Sequence, residues 1–442
     1  MHESQKENRL DEARGRFSQL AFEALYEVLA NEKYSNILLP QLLQKSQLEN
    51  RDKAFVTELV YGTLRQQGFL DAAIKKFANR ELSEIDLKVL IVLRIGAYQL
   101  LIMKNPLHAG VSETVNLAKL VTGASSSGFV NAVMRRISEN PDFLPDTDAE
   151  KYSHPQWIID SYRDVLKDEE LVKNQLEANN LPTRPTLVAW PGLSTVEELE
   201  KEGAIRIPGS RNALSAMGNP GNLTAIRARR AGVQDYGSQL VVENFVATDT
   251  GSLSWLDMCA GPGGKAAYLE ALLIHENRNP KLLIANELSV ERSKLIQQVV
   301  RITKVITHDG RTLDKELPGN QNRFDRILID APCTGIGALR RRPEVRWRRT
   351  PKDLPSLTQL QRELLNSAKK LLNPGGIIAY ATCSPHLSET KWQINSFLKE
   401  NPEFERVPVS MHPDKDGDMQ LWTYRDGTDS MYLALLRFRI SE

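Results

Sequence analysis

The chain has 442 residues, of which 41% are hydrophobic and 26% charged, and its formal net charge is +1. This length suits about two or three domains, and the balanced charge excludes a protein that binds nucleic acid over its whole surface. The three cysteines lack CxxC spacing, which excludes a disulfide framework and a zinc-ribbon site. We therefore expect a globular, cytoplasmic protein without a bound metal, whose nucleic-acid contacts come from local basic patches.

Nothing in the chain is typical of a membrane protein. Residues 1–12 are polar and charged, unlike a signal peptide. The most apolar run, Val89 to Met103, contains Arg94 and Gln99 and is shorter than the roughly 20 residues that span a bilayer. We expect this run to be a buried core helix and expect no membrane contact.

The first part of the chain, residues 11–140, has helical periodicity throughout. Apolar residues recur at helical spacing between Phe17 and Leu29, and alternation typical of strands is weak. A break rich in proline and acidic residues follows at 140–148. This pattern predicts a helical bundle as the first domain, residues 1–140.

The rest of the chain predicts two further domains. Residues 150–235 mix helical and strand signals, with a candidate strand at Thr186–Trp190, and predict a small α+β subdomain. From residue 236 to 442, strands and helices alternate, which predicts a doubly wound α/β sheet with helices on both faces. The candidate strands are Leu253–Asp257, Leu282–Ala285, Val305–Thr307, Arg326–Ile329, Ile377–Ala381 and Tyr432–Phe438. The candidate helices between them include Val290–Arg301, Leu357–Leu372 and Glu389–Lys399.

A glycine-rich turn, Gly261 to Ala266, follows the first of these strands and opens a helix. Glycine lets the backbone approach a ligand, and the helix N-terminus offers free N–H groups. A P-loop is excluded by the spacing and by Ala266, which stands where Ser or Thr binds magnesium. The turn also fits G-x-G-x-x-A, so alone it leaves nicotinamide and adenosyl cofactors equally open, with no cofactor as a third alternative.

Three acids, Glu287, Asp309 and Asp330, stand at the ends of three successive strands. One can hold ribose hydroxyls, a second the adenine amino group, and a third a methionine ammonium or a base edge. A single acid in such a place is more often a loop or helix cap. The regular placement of all three favours a nucleotide-like cofactor.

Each of the three cysteines, Cys259, Cys333 and Cys383, ends a candidate strand, so we expect their thiols to meet at one crevice. A lone buried cysteine is commonly an ordinary core residue. Two at adjacent strand ends instead suggest covalent catalysis, in which a thiolate adds to C6 of cytosine and makes C5 nucleophilic. The residues alone leave Cys383 and Cys333 as nucleophile and helper, with Asp330 beside the ring.

Asp257–Lys265, Asp330–Gly335 and Ala381–Ser384 resemble the cofactor motif and the two cysteine motifs of the Sun-type RNA (cytosine-5) methyltransferases, within them the bacterial Sun/Fmu/RsmB-type subfamily for ribosomal RNA. The resemblance implies that Cys383 is the nucleophile and that Cys333 assists product release. In DNA cytosine-5 methyltransferases, the Pro-Cys thiol, here Cys333, would attack instead. The resemblance also implies S-adenosylmethionine contacts from Cys259, Ala260, Gly261, Pro262, Gly263, Gly264, Lys265, Glu287, Arg292, Asp309 and Asp330.

The resemblance covers nearly the whole chain. Arg51–Arg65 is similar to the NusB-like RNA-binding domain of that subfamily, and Val233–Leu240 to its entry into the catalytic domain. Glu287 stands where aspartate is usual, and Asp426–Tyr432 replaces a more aromatic Asp-Gly-Phe-Phe pattern. The second difference puts contacts of the last strand in doubt, and not the chemistry.

A basic segment directly follows the Cys333 motif. Arginines neutralise phosphates and an indole stacks on unpaired bases, so a position beside the catalytic residues favours RNA binding over a merely solvated face. The predicted RNA contacts are Arg340, Arg341, Arg342, Arg346, Trp347 and Arg348. A second basic cluster contains Arg227, Arg229 and Arg230.

The sequence thus predicts a monomeric, S-adenosylmethionine-dependent methyltransferase that modifies C5 of a cytosine in small-subunit ribosomal RNA. Three alternatives stay open: a nicotinamide oxidoreductase, which leaves both cysteine motifs unexplained; a noncatalytic NusB-like RNA-binding or antitermination factor; and a methyltransferase for another RNA, such as tRNA.

Overall fold

The computed structural model describes residues 17–278, 282–317 and 323–440. Residues 1–12, interpreted above as unlike a signal peptide, and the predicted helical residues 11–16 lie outside these ranges. The chain divides into two compact units. One comprises Met1–Asp160, Asp168–Pro182 and Leu339–Arg348; the other comprises Ser161–Lys167, Thr183–Ala338 and Arg349–Glu442.

The described part of the first unit is built from helices, as predicted. Their bounds, in chain order, are α1 (17–30), α2 (Ser35–Lys45), α3 (Asn50–Arg65), α4 (Gln67–Ala78), α5 (Leu87–Ala97), α6 (Leu107–Thr122), α7 (Ser127–Ser138), α8 (Asp148–Lys151), α9 (Gln156–Leu166) and α10 (Glu169–Asn179). The boundary between the units falls within α9.

The central helix of this unit is α5. Every residue from Val89 to Ala97 is buried, which is typical of a helix surrounded by others. Asp86 caps its N-terminus, and the helix continues as a π-helical turn, Tyr98–Ile102. The buried Arg94 donates two hydrogen bonds, of 2.7 and 2.8 Å, to the carboxylate of Asp71. The prediction of a buried core helix here is confirmed.

The second unit contains two sheets. The smaller is antiparallel, in the order β2-β3-β1-β4, and the larger has the order β10-β12-β9-β8-β5-β6-β7 with β11 beside β12. The strands are β1 (Thr186–Ala189), β2 (Ile205–Arg206), β3 (Ala213–Ser215), β4 (Ala231–Val233), β5 (Trp255–Asp257), β6 (Leu283–Asn286), β7 (Lys304–Ile306), β8 (Phe324–Asp330), β9 (Leu372–Thr382), β10 (Phe404–Val407), β11 (Met419–Gln420) and β12 (Tyr432–Phe438). From β7 to β9 the strands are parallel, whereas β12 is antiparallel to β9.

Helices cover both faces of the larger sheet, because successive strand residues point to opposite sides. On one face of the sheet, Leu328 packs in a hydrophobic core with Phe245 of the helix Tyr236–Ala247. On the opposite face, its neighbours Ile327 and Ile329 pack in a second core with Leu364 of the helix Leu354–Leu371. The doubly wound α/β prediction is therefore confirmed. The remaining helices are α11 (Val196–Lys201), α12 (Thr224–Arg227), α13 (Tyr236–Ala247), α14 (Gly264–His275), α15 (Val290–Val299), α16 (Leu313–Glu316), α17 (Val345–Arg348, in the first unit), α18 (Leu354–Leu371), α19 (Lys391–Glu400) and α20 (Thr423–Asp426).

The units do not follow the predicted range 150–235. The small sheet β1–β4 belongs to the second unit, but α8 and α10 belong to the first. Within the first unit, the hydroxyl of Ser153 accepts a 2.7 Å hydrogen bond from the backbone N–H of Gly68 in α4. Within the described ranges, every helix is too short or too polar to cross a bilayer.

Candidate active site

Four parallel strands in the middle of the larger sheet carry the candidate residues at their carboxyl ends. β9, β8, β5 and β6 lie side by side in that order. Cys383 directly follows β9, Asp330 ends β8, Asp257 ends β5, and Glu287 directly follows β6. Because the carboxyl ends of parallel strands meet at one edge, these side chains lie in a row where open α/β sheets bind ligands.

The thiols of Cys333 and Cys383 are in contact, with their Sγ atoms 3.5 Å apart. The pKa of the Cys333 thiol is raised well above its ordinary value, first by the hydrogen bond to Cys383, then by burial and by the charges of Cys383 and Glu389. Cys333 therefore keeps its proton when Cys383 is a thiolate. The pair can hold one proton and one negative charge between two sulfurs.

The backbone of Cys383 is fastened by a glycine that the sequence analysis did not single out. Gly337 donates a 2.9 Å hydrogen bond to the carbonyl of Cys383 and accepts a 2.8 Å hydrogen bond from the N–H of Ser430. A Cβ atom at Gly337 would lie 2.3 Å from the carbonyl oxygen of Ser430. Only glycine fits there, and Ser430, within the segment that departs from the family pattern, supports the Cys383 backbone.

An ion pair links the glycine-rich turn to the end of β8. Lys265 donates a 2.7 Å hydrogen bond to Oδ2 of Asp330, and its Nζ lies 3.4 Å from Oγ of Ser238. Burial favours the neutral amine, but the charge of Asp330 and the hydrogen bond to it outweigh burial and raise the pKa of Lys265. Lys265 is therefore a stable cation, and it faces the acid that begins the Cys333 motif.

Asp257 is a further site residue that the sequence analysis did not select. It is wholly buried, and neither carboxyl oxygen makes a hydrogen bond of regular geometry with a described residue. Burial, followed by the charge of Asp330, raises its pKa to about 8, so that it is protonated at neutral pH. The strand-end rule that selected Glu287, Asp309 and Asp330 applies equally to this acid.

The charged groups that act on Cys259 differ from those that act on Cys333. Burial, then the charges of Asp257, Asp330 and Glu287, raise its pKa well above the ordinary value of a thiol. Cys259 therefore stays neutral. Cys333 and Cys383 are in contact, and Cys259 lies among the acids of the glycine-rich turn. That all three thiols act at one crevice stays a prediction.

The glycine-rich turn is shaped by close contacts. Oε2 of Glu287 accepts a 3.0 Å hydrogen bond from Gly261 N, and Arg292 donates to the Gly261 carbonyl. A Cβ atom at Gly261 would lie 2.1 Å from that carboxylate oxygen. Gly263 has φ +112°, and a Cβ there would lie 2.7 Å from Cγ2 of Val299. Both positions require glycine, and α14 begins directly after them with its free N–H groups at the turn.

The other two acids differ in their partners. Glu287 is buried, and its Oε1 also accepts a 3.1 Å hydrogen bond from Ser289 N. Asp309 caps a 3₁₀ turn and pairs with Arg311, whose hydrogen bond is the main reason that the pKa of Asp309 is lowered. Asp309 is thus a cap as well as a strand-end acid, and its placement alone does not assign it to a cofactor.

The basic segment after the Cys333 motif, residues 340–348, belongs to the first unit, and several of its side chains bind other residues of that unit. Arg346 is wholly buried, and its Nη1 donates to the carbonyls of Ser153 (2.8 Å) and Arg65 (3.2 Å) and to Oδ1 of Asn180 (2.7 Å). The prediction that Arg346 contacts RNA is therefore wrong. A buried guanidinium that satisfies backbone carbonyls stabilises the helical unit instead.

The other residues of the two basic clusters differ in how far their side chains are bound within the protein. Arg348 donates hydrogen bonds of 2.7 Å to the carbonyls of Val28 and Lys33, and the ring of Trp347 packs over Gly68. Arg340, Arg341 and Arg342 are partly exposed. In the second basic cluster, Arg230 is bound to Glu198, while Arg227 and Arg229 are exposed.

Residues 246–437 match the family described as 16S rRNA methyltransferase RsmB/F, and residues 18–139 match the NusB family. A Mycobacterium tuberculosis protein named as a methyltransferase is 41% identical, over 94% of this chain and 95% of its own. Ribosomal RNA small subunit methyltransferase B of Vibrio cholerae is 31% identical, over 94% of this chain and 96% of its own. The chain belongs to the RsmB/F methyltransferase family.

Solved structures share the fold of this RsmB/F chain. The crystal structure of PH0851 superposes with a TM-score of 0.81 at 24% identity, and covers 96% of this chain and 98% of its own. NSun6 from Pyrococcus horikoshii, solved with SFG, has a TM-score of 0.56 at 18% identity and covers 65% of this chain and 99% of its own. At these identities the likeness concerns the fold alone.

As a member of the RsmB/F family, the protein is an RNA cytosine-5 methyltransferase that uses S-adenosylmethionine. This membership excludes the nicotinamide oxidoreductase and the noncatalytic antitermination factor. The site fits the cofactor, since the turn at Gly261 leaves room only for glycine and Asp257 presents buried oxygens without regular partners. The N-terminus of α14 and the carboxylate of Glu287 are groups that could hold it. Among the described residues, no cluster of His, Cys, Asp and Glu is placed to hold a metal ion.

Proposed function

We propose that the enzyme methylates C5 of a cytosine in small-subunit ribosomal RNA through a covalent bond between the Cys383 sulfur and C6 of the base. The observation that carries the proposal is the 3.5 Å contact between Cys383 and Cys333 at the ends of adjacent strands. Two thiols so placed supply a nucleophile and a proton acceptor for one ring. A mechanism with a single cysteine, as in the DNA cytosine-5 methyltransferases, would leave the second thiol of the pair without a role.

Cys383 begins the reaction as a thiolate. Its sulfur forms a bond to C6, and the electron pair of the C5=C6 double bond moves onto C5. Bound S-adenosylmethionine supplies the electrophilic methyl group. The base must be turned out of any RNA helix for this attack, because C6 is otherwise stacked between neighbouring bases.

Cys333 removes the C5 proton in the release step. Its pKa is raised first by the hydrogen bond to Cys383. Once the Cys383 sulfur is a neutral thioether, its hydrogen bond and charge no longer raise the Cys333 pKa, although burial and Glu389 still do, so the Cys333 proton leaves to solvent more readily than in the free enzyme. The Cys333 thiolate then accepts the proton from C5, the double bond re-forms, and the bond between sulfur and C6 breaks.

Asp330 and Lys265 hold the cytosine ring. Their ion pair lies beside Cys383, whose charge also contributes to the raised pKa of Lys265. The Asp330 carboxylate accepts a hydrogen bond from the exocyclic amine and so orients the ring, while the Lys265 ammonium offsets the negative charge that the ring gains when Cys383 attacks. Asp330 is therefore the positioning acid for the base.

The choice of RNA is supported by the small-subunit methyltransferase of Vibrio cholerae, with which the chain is aligned almost end to end. Arg340, Arg341 and Arg342, which follow the Cys333 motif in the chain, supply phosphate contacts, and the enzyme acts as a monomer. A tRNA is the alternative substrate, because the chemistry at C5 is the same.

The test is transfer of labelled methyl groups to protein-free 16S ribosomal RNA, to assembled small subunits and to total tRNA, with wild type and Cys383→Ser. We expect 5-methylcytosine in the ribosomal RNA with wild type only. Label in tRNA alone would replace the proposed substrate, and label from Cys383→Ser would refute the proposed nucleophile.

A further inference from the structure

A buried carboxylate outside the reacting set, Glu389, joins the two segments that carry the thiols. It ends the 3₁₀ turn Leu387–Glu389 and is wholly buried. Its Oε1 accepts hydrogen bonds from Thr334 N at 2.8 Å and from Nε2 of Gln361 at 3.2 Å, and its Oε2 accepts one from Oγ1 of Thr334. Because Thr334 directly follows Cys333, the carboxylate fixes the segment after this thiol.

The same network reaches the nucleophile. Oγ1 of Thr334 lies 3.1 Å from Oγ of Ser384, the residue that follows Cys383. Gln361 also donates a 2.9 Å hydrogen bond to the carbonyl of Pro332, the residue before Cys333. The Glu389 carboxylate therefore binds Thr334 directly, and it is linked to Pro332 through Gln361 and to Ser384 through Thr334.

The charge of Glu389 needs an explanation of its own. The side-chain donors that bind its carboxylate are neutral, and no described lysine or arginine forms an ion pair with it. A buried charge without a counter-ion is costly, although a neutral amide would satisfy most of the same hydrogen bonds. The charge does reach the thiol pair, since it raises the pKa of Cys333 after the larger effects of Cys383 and burial.

We propose that Glu389 is a positioning residue that fixes the separation of the Cys333 and Cys383 segments and whose charge strengthens Cys333 as a base. This role rests on the proposed function, because it acts on the step in which the proton moves from C5 to Cys333 as the bond from sulfur to C6 breaks. Glu389 touches no reacting atom. It acts through Thr334 and through its electric field.

Glu389→Gln separates the charge from the geometry. The glutamine oxygen can accept from Thr334 N and from Gln361, and its amide can donate to Oγ1 of Thr334, whose hydroxyl then donates to Ser384. The matched control is Glu400→Gln, which removes the same charge from the exposed end of α19. For each protein, kcat, KM for RNA and the pH dependence of single-turnover release are measured.

We expect Glu389→Gln to bind S-adenosylmethionine normally and to keep its KM, while the rate of release above its apparent pKa, where Cys333 is fully ionised, falls several-fold. The apparent pKa of release falls, because removal of a negative charge stabilises the Cys333 thiolate, so in this high-pH range the weaker base accumulates covalent complex, whereas at neutral pH release is faster than in wild type. Glu400→Gln behaves as wild type. A Glu389→Gln enzyme with the kcat and pH profile of wild type overturns the proposal.

Thr334→Val gives a second, independent test. It tests the proposal even in the case that Glu389→Gln does not fold. It removes the hydroxyl between Glu389 and Ser384 but keeps the charge, so kcat should fall while the apparent pKa of release stays that of wild type. An unchanged kcat, or a lowered pKa, contradicts the proposal. A wild-type enzyme that forms no 5-methylcytosine instead defeats the proposed function, which distinguishes the two failures.

Discussion

Lys265 and Asp330 form a 2.7 Å ion pair that joins the glycine-rich turn to the end of β8. The Lys265 side chain is 11% exposed and that of Asp330 is 30% exposed. Lys265, which belongs to the cofactor motif, thus binds Asp330, the acid that we propose contacts the cytosine ring. This ion pair links the cofactor turn to the proposed site of the cytosine base.

Removal of one partner should cost more stability than removal of both. Lys265→Met leaves Asp330 without its cation, and Asp330→Asn leaves Lys265 without its anion. Because the pair is only partly buried, we expect a coupling free energy of about 2 kcal/mol in a double-mutant cycle by urea unfolding. Strictly additive losses in the two single variants and the double variant would show that the pair is not a stabilising unit.

Replacement of Cys333 should trap the enzyme on its substrate. Without the proposed base, Cys333→Ala still attacks C6 and accepts the methyl group but releases the product slowly, by a factor of about 100 or more. A denaturing gel should then show a covalent complex of enzyme and RNA. The double variant Cys333→Ala/Cys383→Ser is the control and should form none; a complex with it would mean that another residue attacks.

Asp257 should make stability depend on pH. Its pKa is about 8 in the folded protein, above the ordinary carboxyl value of 3.8, so the folded state favours the protonated form. Its contribution is fully present below about pH 4 and is lost as pH rises to about 8. Relative to Asp257→Asn, wild type should lose on the order of 2–5 kcal/mol across this window. Parallel pH curves of the unfolding free energy would contradict the assignment.

Arg346 should affect stability and not RNA affinity. Arg346→Ala removes a buried guanidinium that satisfies at least four oxygens, and we expect a loss of about 3 kcal/mol in the unfolding free energy. The slope of log affinity against log salt concentration should stay unchanged. Arg341→Ala is the comparison and should reduce that slope by about one. The opposite pattern would return Arg346 to the RNA-binding surface.

The sequence predicted the helical first domain and the alternating strands and helices, because these features depend on local periodicity and on one topological rule. β12, for example, has the predicted bounds Tyr432–Phe438. It did not predict the burial of Arg346, because the oxygens that bind it come from Arg65, Ser153 and Asn180, far away in the chain. Glu389 was missed for the same reason, since its partner Thr334 lies on another segment.

Asp257 was missed for a different reason. It was quoted within the cofactor motif, but its unusual property is the absence of regular hydrogen-bond partners around a buried carboxyl, which no spacing reveals. The order of the motifs along the alternating strands and helices predicted that the site lies at the carboxyl ends of the strands. The assignment of each residue to base, cofactor or scaffold required the contacts.

The most direct test of the central claim is to identify the cysteine that carries the base. Wild-type enzyme is incubated with S-adenosylmethionine and ribosomal RNA that contains 5-fluorocytidine, in which C5 has no proton to lose, and the adduct is digested and sequenced by mass spectrometry. We predict that the nucleotide is attached to the peptide of Cys383. Attachment to the peptide of Cys333 would contradict the account, and so would the absence of an adduct with RNA that is methylated when unmodified.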